Sequence, residues 1–107
     1  MPTDAIEDFL KTTGALYDET RIKLLKFIAL HGPVCVCELQ QAFGMGQSRL
    51  SRHLKILKEA GFLTLQRQGR WSYYRIREPL DRFRASAVAE IGYLPIELPK
   101  PSQGCDR

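Results

Sequence analysis

Gln47-Ser48-Arg49-Leu50-Ser51-Arg52-His53-Leu54-Lys55-Ile56-Leu57-Lys58-Glu59-Ala60-Gly61 is the stretch that decides the fold. Leu50, Leu54 and Leu57 recur at helical spacing, one buried stripe of a helix over about 47–60 that stops at Gly61. At ~100° per residue, Ser48, Arg52, Lys55 and Glu59 point the opposite way, with Ser51 and Arg49 on the flanks. A helix that enters a major groove needs small side chains for close approach, and Arg, Gln or Ser to reach base edges and phosphates. Gln47 and Ser48 fall in the first turn, the part of a recognition helix that points into the groove. The helix start also offers unpaired amides to phosphate.

The residues before it complete a helix-turn-helix. A short helix over about 35–43 turns Leu39, Ala42 and Phe43 inward, and Gly44-Met45-Gly46 is a turn, with Gly46 a serviceable N-cap. Further upstream, residues 4–16 carry Ile6, Phe9, Leu10, Thr13 and Leu16 at helical spacing, with Thr3 as candidate cap. A helix over about 19–31 follows, capped by Asp18, with Ile22, Leu24, Leu25, Ile28 and Ala29 on its apolar side, and ended by His31-Gly32-Pro33.

After Gly61 the period changes from 3.6 to 2. Leu63 and Leu65 alternate with Phe62, Thr64 and Gln66, and Tyr74 and Ile76 alternate with Trp71, Tyr73 and Arg75. Gln68-Gly69-Arg70 between the runs predicts a β-hairpin with a basic tip, where Arg67 and Arg70 can reach a neighbouring groove or backbone. A fifth helix over about 79–93 puts Leu80, Phe83, Ala87, Ile91 and Leu94 on one stripe. The class is α+β, mostly α. Residues 1–94 form one domain, and the tail 95–107, with Pro95, Pro99 and Pro101, is expected to be extended and mobile.

Charge supports this reading. Between Gln47 and Arg77 stand eight basic residues and one acid, while the rest of the chain holds 8 basic and 11 acidic residues. Basic charge focused on one third of a chain is the footprint of a nucleic-acid binder. No apolar run approaches the ~20 residues of a membrane helix, and the acidic N-terminus lacks the shape of a signal peptide, so a cytoplasmic location is expected. Three cysteines, two of them adjacent in Val34-Cys35-Val36-Cys37, argue against a disulfide framework. Soft sulfur ligands beside a DNA-reading element suggest a sensor for a thiophilic ion. With both cysteines on a regular helix they would face opposite sides, so chelation would require the helix start to unwind.

Asp18-Glu19-Thr20-Arg21, Cys35-Val36-Cys37-Glu38-Leu39, Ser51 to Gly61, and Gly69-Arg70-Trp71-Ser72-Tyr73-Tyr74-Arg75, in this order, resemble the ArsR/SmtB family of metal-responsive repressors over roughly residues 5–92. The resemblance implies a winged helix-turn-helix homodimer with five helices and one β-hairpin wing, joined through helices one and five. It implies binding to double-stranded operator DNA. The contacting positions are Gln47, Ser48, Ser51 and Arg52, to which the basic pattern adds Arg49, Lys55, Arg67 and Arg70. The arsenic-responsive branch carries its inducer on a Cys-x-Cys at this place, so Cys35 and Cys37 become the As(III) or Sb(III) ligands, and the DNA-binding state needs no cofactor. Strong sites in the family have a third Cys where this chain has Gln40; Cys105 or an exogenous thiol or hydroxide then completes the ion's coordination.

The implied function is repression of an arsenic-resistance operon, relieved by the ion. The alternative is a repressor of the same fold that responds to thiol oxidation. The zinc site of another branch lacks its ligands: His31 and His53 lie outside helix five, where Asp81, Phe83 and Glu90 leave the set incomplete. Gly44-Met45-Gly46 follows a helix rather than a strand, against nucleotide binding. No base or oxyanion device accompanies the cysteines, so no enzyme is expected.

Overall fold

Asp18 caps a helix as its position demands: its carboxylate accepts the Arg21 amide at 3.1 Å, and its carbonyl accepts that of Ile22 at 3.1 Å. The computed structural model describes residues 4–101. Within them run α1 (Ala5–Ala15), α2 (Glu19–His31), β1 (Val34–Cys35), α3 (Val36–Phe43), α4 (Gln47–Glu59), β2 (Leu63–Gln68), β3 (Trp71–Ile76) and α5 (Arg82–Tyr93). The sheet is antiparallel throughout, in the order β1-β3-β2. This is a winged helix-turn-helix.

The leucine stripe of α4 behaves as its period requires. Leu50, Leu54 and Leu57 are fully buried, together with Leu24, Leu25, Phe27 and Ile28 of α2, Leu39 of α3, and Phe62 and Leu63 at the entry to the wing. The core therefore lies between α2, α4 and the root of the sheet. The wing closes on Gly69-Arg70, with Gln68 facing Trp71 as the last pair, and Gly69 takes φ +62, a left-handed turn conformation that favours glycine.

Five readings change. Cys35 is not helical: it is extended (φ −87, ψ 159), belongs to β1 and caps α3. A two-residue strand leaves no periodicity to read, and its partners Tyr73 and Tyr74 are distant in sequence. The sheet thus has three strands where the alternation predicts two. The fifth helix begins at Arg82 rather than 79, because Asp81 is the cap and its carbonyl receives the Ala85 amide at 2.8 Å. On α2, Phe27 is buried and Ala29 exposed. The first helix begins one residue later than the spacing predicts and is capped by Asp4; Thr3 lies outside the described residues.

Beyond α5, Lys26 Nζ donates to the carbonyls of Gly92 (2.9 Å) and Leu94 (2.7 Å), closing the helix end as a cation should. Residues 95–101 form no helix or strand. Leu98 packs against the core, and Pro101 lines a small cavity with Phe27, His31, Pro33, Val34 and Glu38. The apolar stripe of α1 faces away from the subunit: Ile6, Phe9 and Leu10 are 69%, 53% and 62% exposed, while Thr12 and Ala15 are buried.

Candidate nucleic-acid interface and thiol cleft

Gly46 precedes α4 in an extended conformation and its carbonyl accepts the Leu50 amide at 3.0 Å, so the helix starts at Gln47 with its first amides directed outward. Burial of the leucine stripe then fixes which residues face solvent. Gln47, Ser48, Arg49, Ser51, Arg52 and Lys55 are all exposed, as are Arg67 and Arg70 on the wing. Lys55 reaches Glu59 at 4.0 Å, one turn on, a loose surface pair that leaves its ammonium available to a phosphate. Arg70 lies over the Trp71 ring at 5.5 Å, which holds the wing-tip cation in place.

Cys35 is buried at the β1–α3 junction, where its amide donates to Glu38 Oε1 at 2.9 Å. Glu38 stands at the third helical position and closes this half of a capping box. Cys37, one turn-third into α3, is half-buried, and Gln41 Nε2 approaches its sulfur at 3.7 Å. The two residues therefore straddle a strand-to-helix joint. The premise that they sit on opposite sides of one regular helix fails, and with it the need to unwind that helix.

Cys35, Cys37, Gln40, Gln47, Ser51, Arg67, Arg70 and Trp71 line a single open cleft of ≈ 340 Å³ between α3, α4 and the wing. The structure thus brings the cysteine pair together with four of the eight candidate DNA contacts. Ser48, Arg49, Arg52 and Lys55 lie outside this cleft, on exposed parts of the same helix. Among the described residues no three His, Cys, Asp or Glu side chains gather to hold an ion. Cys105 lies outside the described residues.

Two residues that the sequence reading left without a role reach α4 separately, one at its middle and one at its C-cap. Arg21 Nη1 lies 3.2 Å from His53 Nδ1, and Arg84 Nε donates to the Ala60 carbonyl at 2.8 Å. The signal for Arg21 was its place three residues after a capping Asp, which repeats in Asp81 and Arg84. His53 is held below the ordinary histidine range, first by burial and then by the cations Arg21, Arg49 and Arg52, with Asp18 opposing. For Asp18, burial pushes upward, but the Arg21 amide and guanidinium, with His53 and the Thr20 amide, together pull it below the usual carboxylate range.

Residues 18–64 match the family described as bacterial regulatory protein, arsR family. A winged helix-turn-helix DNA-binding domain of Mycobacterium bovis, solved as a homodimer and described as a possible ArsR-family regulator, is 30% identical. The match covers 79% of this chain and 81% of that one, with a TM-score of 0.66. The chain belongs to the ArsR family. Among curated relatives of this ArsR-family chain, the arsenic resistance transcriptional regulator ArsR1 of Pseudomonas putida is 48% identical over 68 residues, 64% of this chain and 53% of that protein. The arsenical resistance operon repressor of Escherichia coli is 36% identical over 75 residues, 70% of this chain and 64% of that protein. The chain therefore spans between half and two thirds of these relatives. The family and the fold are those of DNA-binding regulators, not of enzymes. No helix among the described residues is long and apolar enough to cross a membrane.

Proposed function

We propose that this chain is a cytoplasmic transcriptional repressor of an arsenic-resistance operon, released from its operator when As(III) or Sb(III) binds Cys35 and Cys37. One observation carries the reading: the two cysteines line the same cleft as Gln47, Ser51, Arg67 and Arg70. An ion held there acts within the surface that meets DNA.

The dimer is the natural use of the outer apolar surface. Ile6, Phe9 and Leu10 of α1 and Phe83 and Tyr93 of α5 are exposed, and the Phe9 and Phe83 rings, tilted by 55° with centroids 5.1 Å apart, join into one patch. A two-fold pairing through α1 and α5 covers this patch and presents two copies of α4 to half-sites one helical turn apart. Gln47 and Ser51 then read base edges, Ser48 and the arginines hold phosphates, and Arg67 and Arg70 engage the flanking backbone. Binding needs no cofactor.

Arsenite carries three hydroxyls. With both cysteines in the reduced thiol form, each As–S bond forms as a thiol proton leaves with one hydroxide as water, so the site takes up a neutral acid and sheds water. Cys35 is held by β1 and Cys37 by α3, so an ion spanning them locks the joint between wing sheet and helix-turn-helix. Support from relatives lies in the arsenic resistance regulators of Pseudomonas putida and Escherichia coli.

Operator binding titrated in parallel with arsenite, zinc and peroxide tests the reading. Release by arsenite at near-equimolar ion is expected. Release by peroxide alone would move the assignment to thiol oxidation, and release by zinc alone would overturn arsenite as the inducer.

A further inference from the structure

Two guanidinium groups fasten the recognition helix to α1. Arg84, in the first turn of α5, donates from Nε to the carbonyl of Ala60, the C-cap of α4, at 2.8 Å. It also donates from Nη2 to Thr12 Oγ1 of α1 at 2.9 Å, and from Nη1 to Asp81 Oδ1 at 2.8 Å. The chain is left bare to admit it: Gly61 has φ +89, and a Cβ there would stand 2.7 Å from Arg84 Nε. Arg21, in the first turn of α2, donates from Nε to the Ala15 carbonyl at 2.7 Å and from Nη2 to the Gly14 carbonyl at 3.4 Å, while Nη1 meets His53 Nδ1 at 3.2 Å.

Thr12 and Ala15 are the two buried residues of α1. The recognition helix is therefore tied at its middle and at its end to the helix whose other side carries the exposed patch. Leucine packing holds α4 in place but sets its angle only to within roughly 15–20°. Charge-assisted hydrogen bonds from a planar fork are directional. Both arginine side chains are largely covered, 13% exposed for Arg21 and 27% for Arg84, and their guanidinium groups are engaged within the subunit, so neither is placed to read DNA itself.

We propose that Arg84 and Arg21 are positioning residues for operator recognition: they fix the angle of α4 to the α1/α5 face and thereby the half-site spacing that the dimer accepts. The inference rests on the reading that α4 contacts DNA and that α1 and α5 join the subunits.

The variants Arg84→Lys and Arg21→Lys keep the charge and lose the fork, and Thr12→Val removes one acceptor with its shape retained. Each is measured for dimer mass, melting temperature and affinity toward three kinds of DNA. These are a duplex selected by the wild-type protein, the same half-sites with spacing changed by one base pair either way, and a random duplex. The lysine variants are expected to remain dimers and to bind random duplex as before. They should bind the selected duplex roughly tenfold more weakly and discriminate less between spacings. Thr12→Val follows in the same direction with smaller effect, and decides the matter where a lysine variant does not fold. An unaltered spacing preference in the folded variants overturns the proposal, even with a lowered melting temperature. A wild-type protein that selects no duplex would instead remove the DNA reading beneath it.

Discussion

Cys35 lies opposite Tyr73 across the β1–β3 ladder, so the first residue of the cysteine pair is also a rung of the wing's sheet. Arsenite at the joint therefore has a path to the wing that does not pass through α4. Hydrogen exchange with and without arsenite checks this. The amides of Tyr73 and Tyr74 should change protection together with those of Cys37 to Gln40. A response confined to α3, with Tyr73 and Tyr74 unaltered, would disconnect ion binding from the wing.

The two cysteines differ in surroundings and their serine variants should differ too. Cys37 is half-buried on α3, so Cys37→Ser should keep operator affinity and lose release by arsenite. Cys35 is 4% exposed beside the core, so Cys35→Ser adds the cost of burying a hydroxyl, about 1–3 kcal/mol. Gel shifts and thermal melts separate the effects. Arsenite release that persists in Cys37→Ser would take the site away from this pair.

The third sulfur is tested at Cys105. Pro101 is held near Val34 and Glu38, which flank the thiol pair in sequence, and four further residues of chain span at most ~14 Å. Cys105→Ser should weaken arsenite binding in buffer free of added thiol and lower the sulfur count around arsenic by X-ray absorption. Unchanged affinity and an unchanged count assign the third position to an exogenous ligand.

What was legible in the chain followed from local pattern. The leucine stripe of α4, the Asp18 cap and the Gly69-Arg70 turn each carry their signal within a few residues, and all appear as their spacing requires. β1 was not legible, since Val34-Cys35 is a strand only by virtue of Tyr73 and Tyr74 about 40 residues on. That one miss reversed the geometric argument about the cysteines. The exposure of Gln47, Ser51, Arg67 and Arg70 was readable from period, whereas their convergence on one cleft with the cysteines depends on how the wing packs against α3. For Arg21 and Arg84 the Asp-x-x-Arg spacing marks the local pairing with the capping Asp, whereas their reach to α1 and α4 leaves no periodic trace.

The candidate DNA contacts divide by what they are expected to read. Arg67→Ala and Arg70→Ala should weaken binding to every duplex alike and lower the slope of log affinity against log salt by about one each. Gln47→Ala should leave the salt slope in place and relax preference at one base pair, at a cost of about 1–3 kcal/mol for the favoured sequence. Fluorescence anisotropy over a salt series with two duplexes distinguishes the cases. If Gln47→Ala lowers the salt slope and keeps sequence preference, Gln47 is a phosphate contact.

His53 gives the protein an acid-side weakness. Its ring is held neutral first by burial, then by Arg21, Arg49 and Arg52, so its folded pKa lies below the ordinary value of about 6.5. The neutral Nδ1 can accept from Arg21 Nη1 at 3.2 Å, and a protonated ring cannot. A group depressed by folding stabilises the native state fully above its unfolded pKa, and this stabilisation drains as pH falls from about 6.5 through the lower folded value. Melting temperature should therefore decline between about pH 7 and pH 5. In His53→Gln, whose amide oxygen can still accept from Arg21, the decline should be shallower. Equal slopes in the two proteins over that window would locate the pH dependence elsewhere.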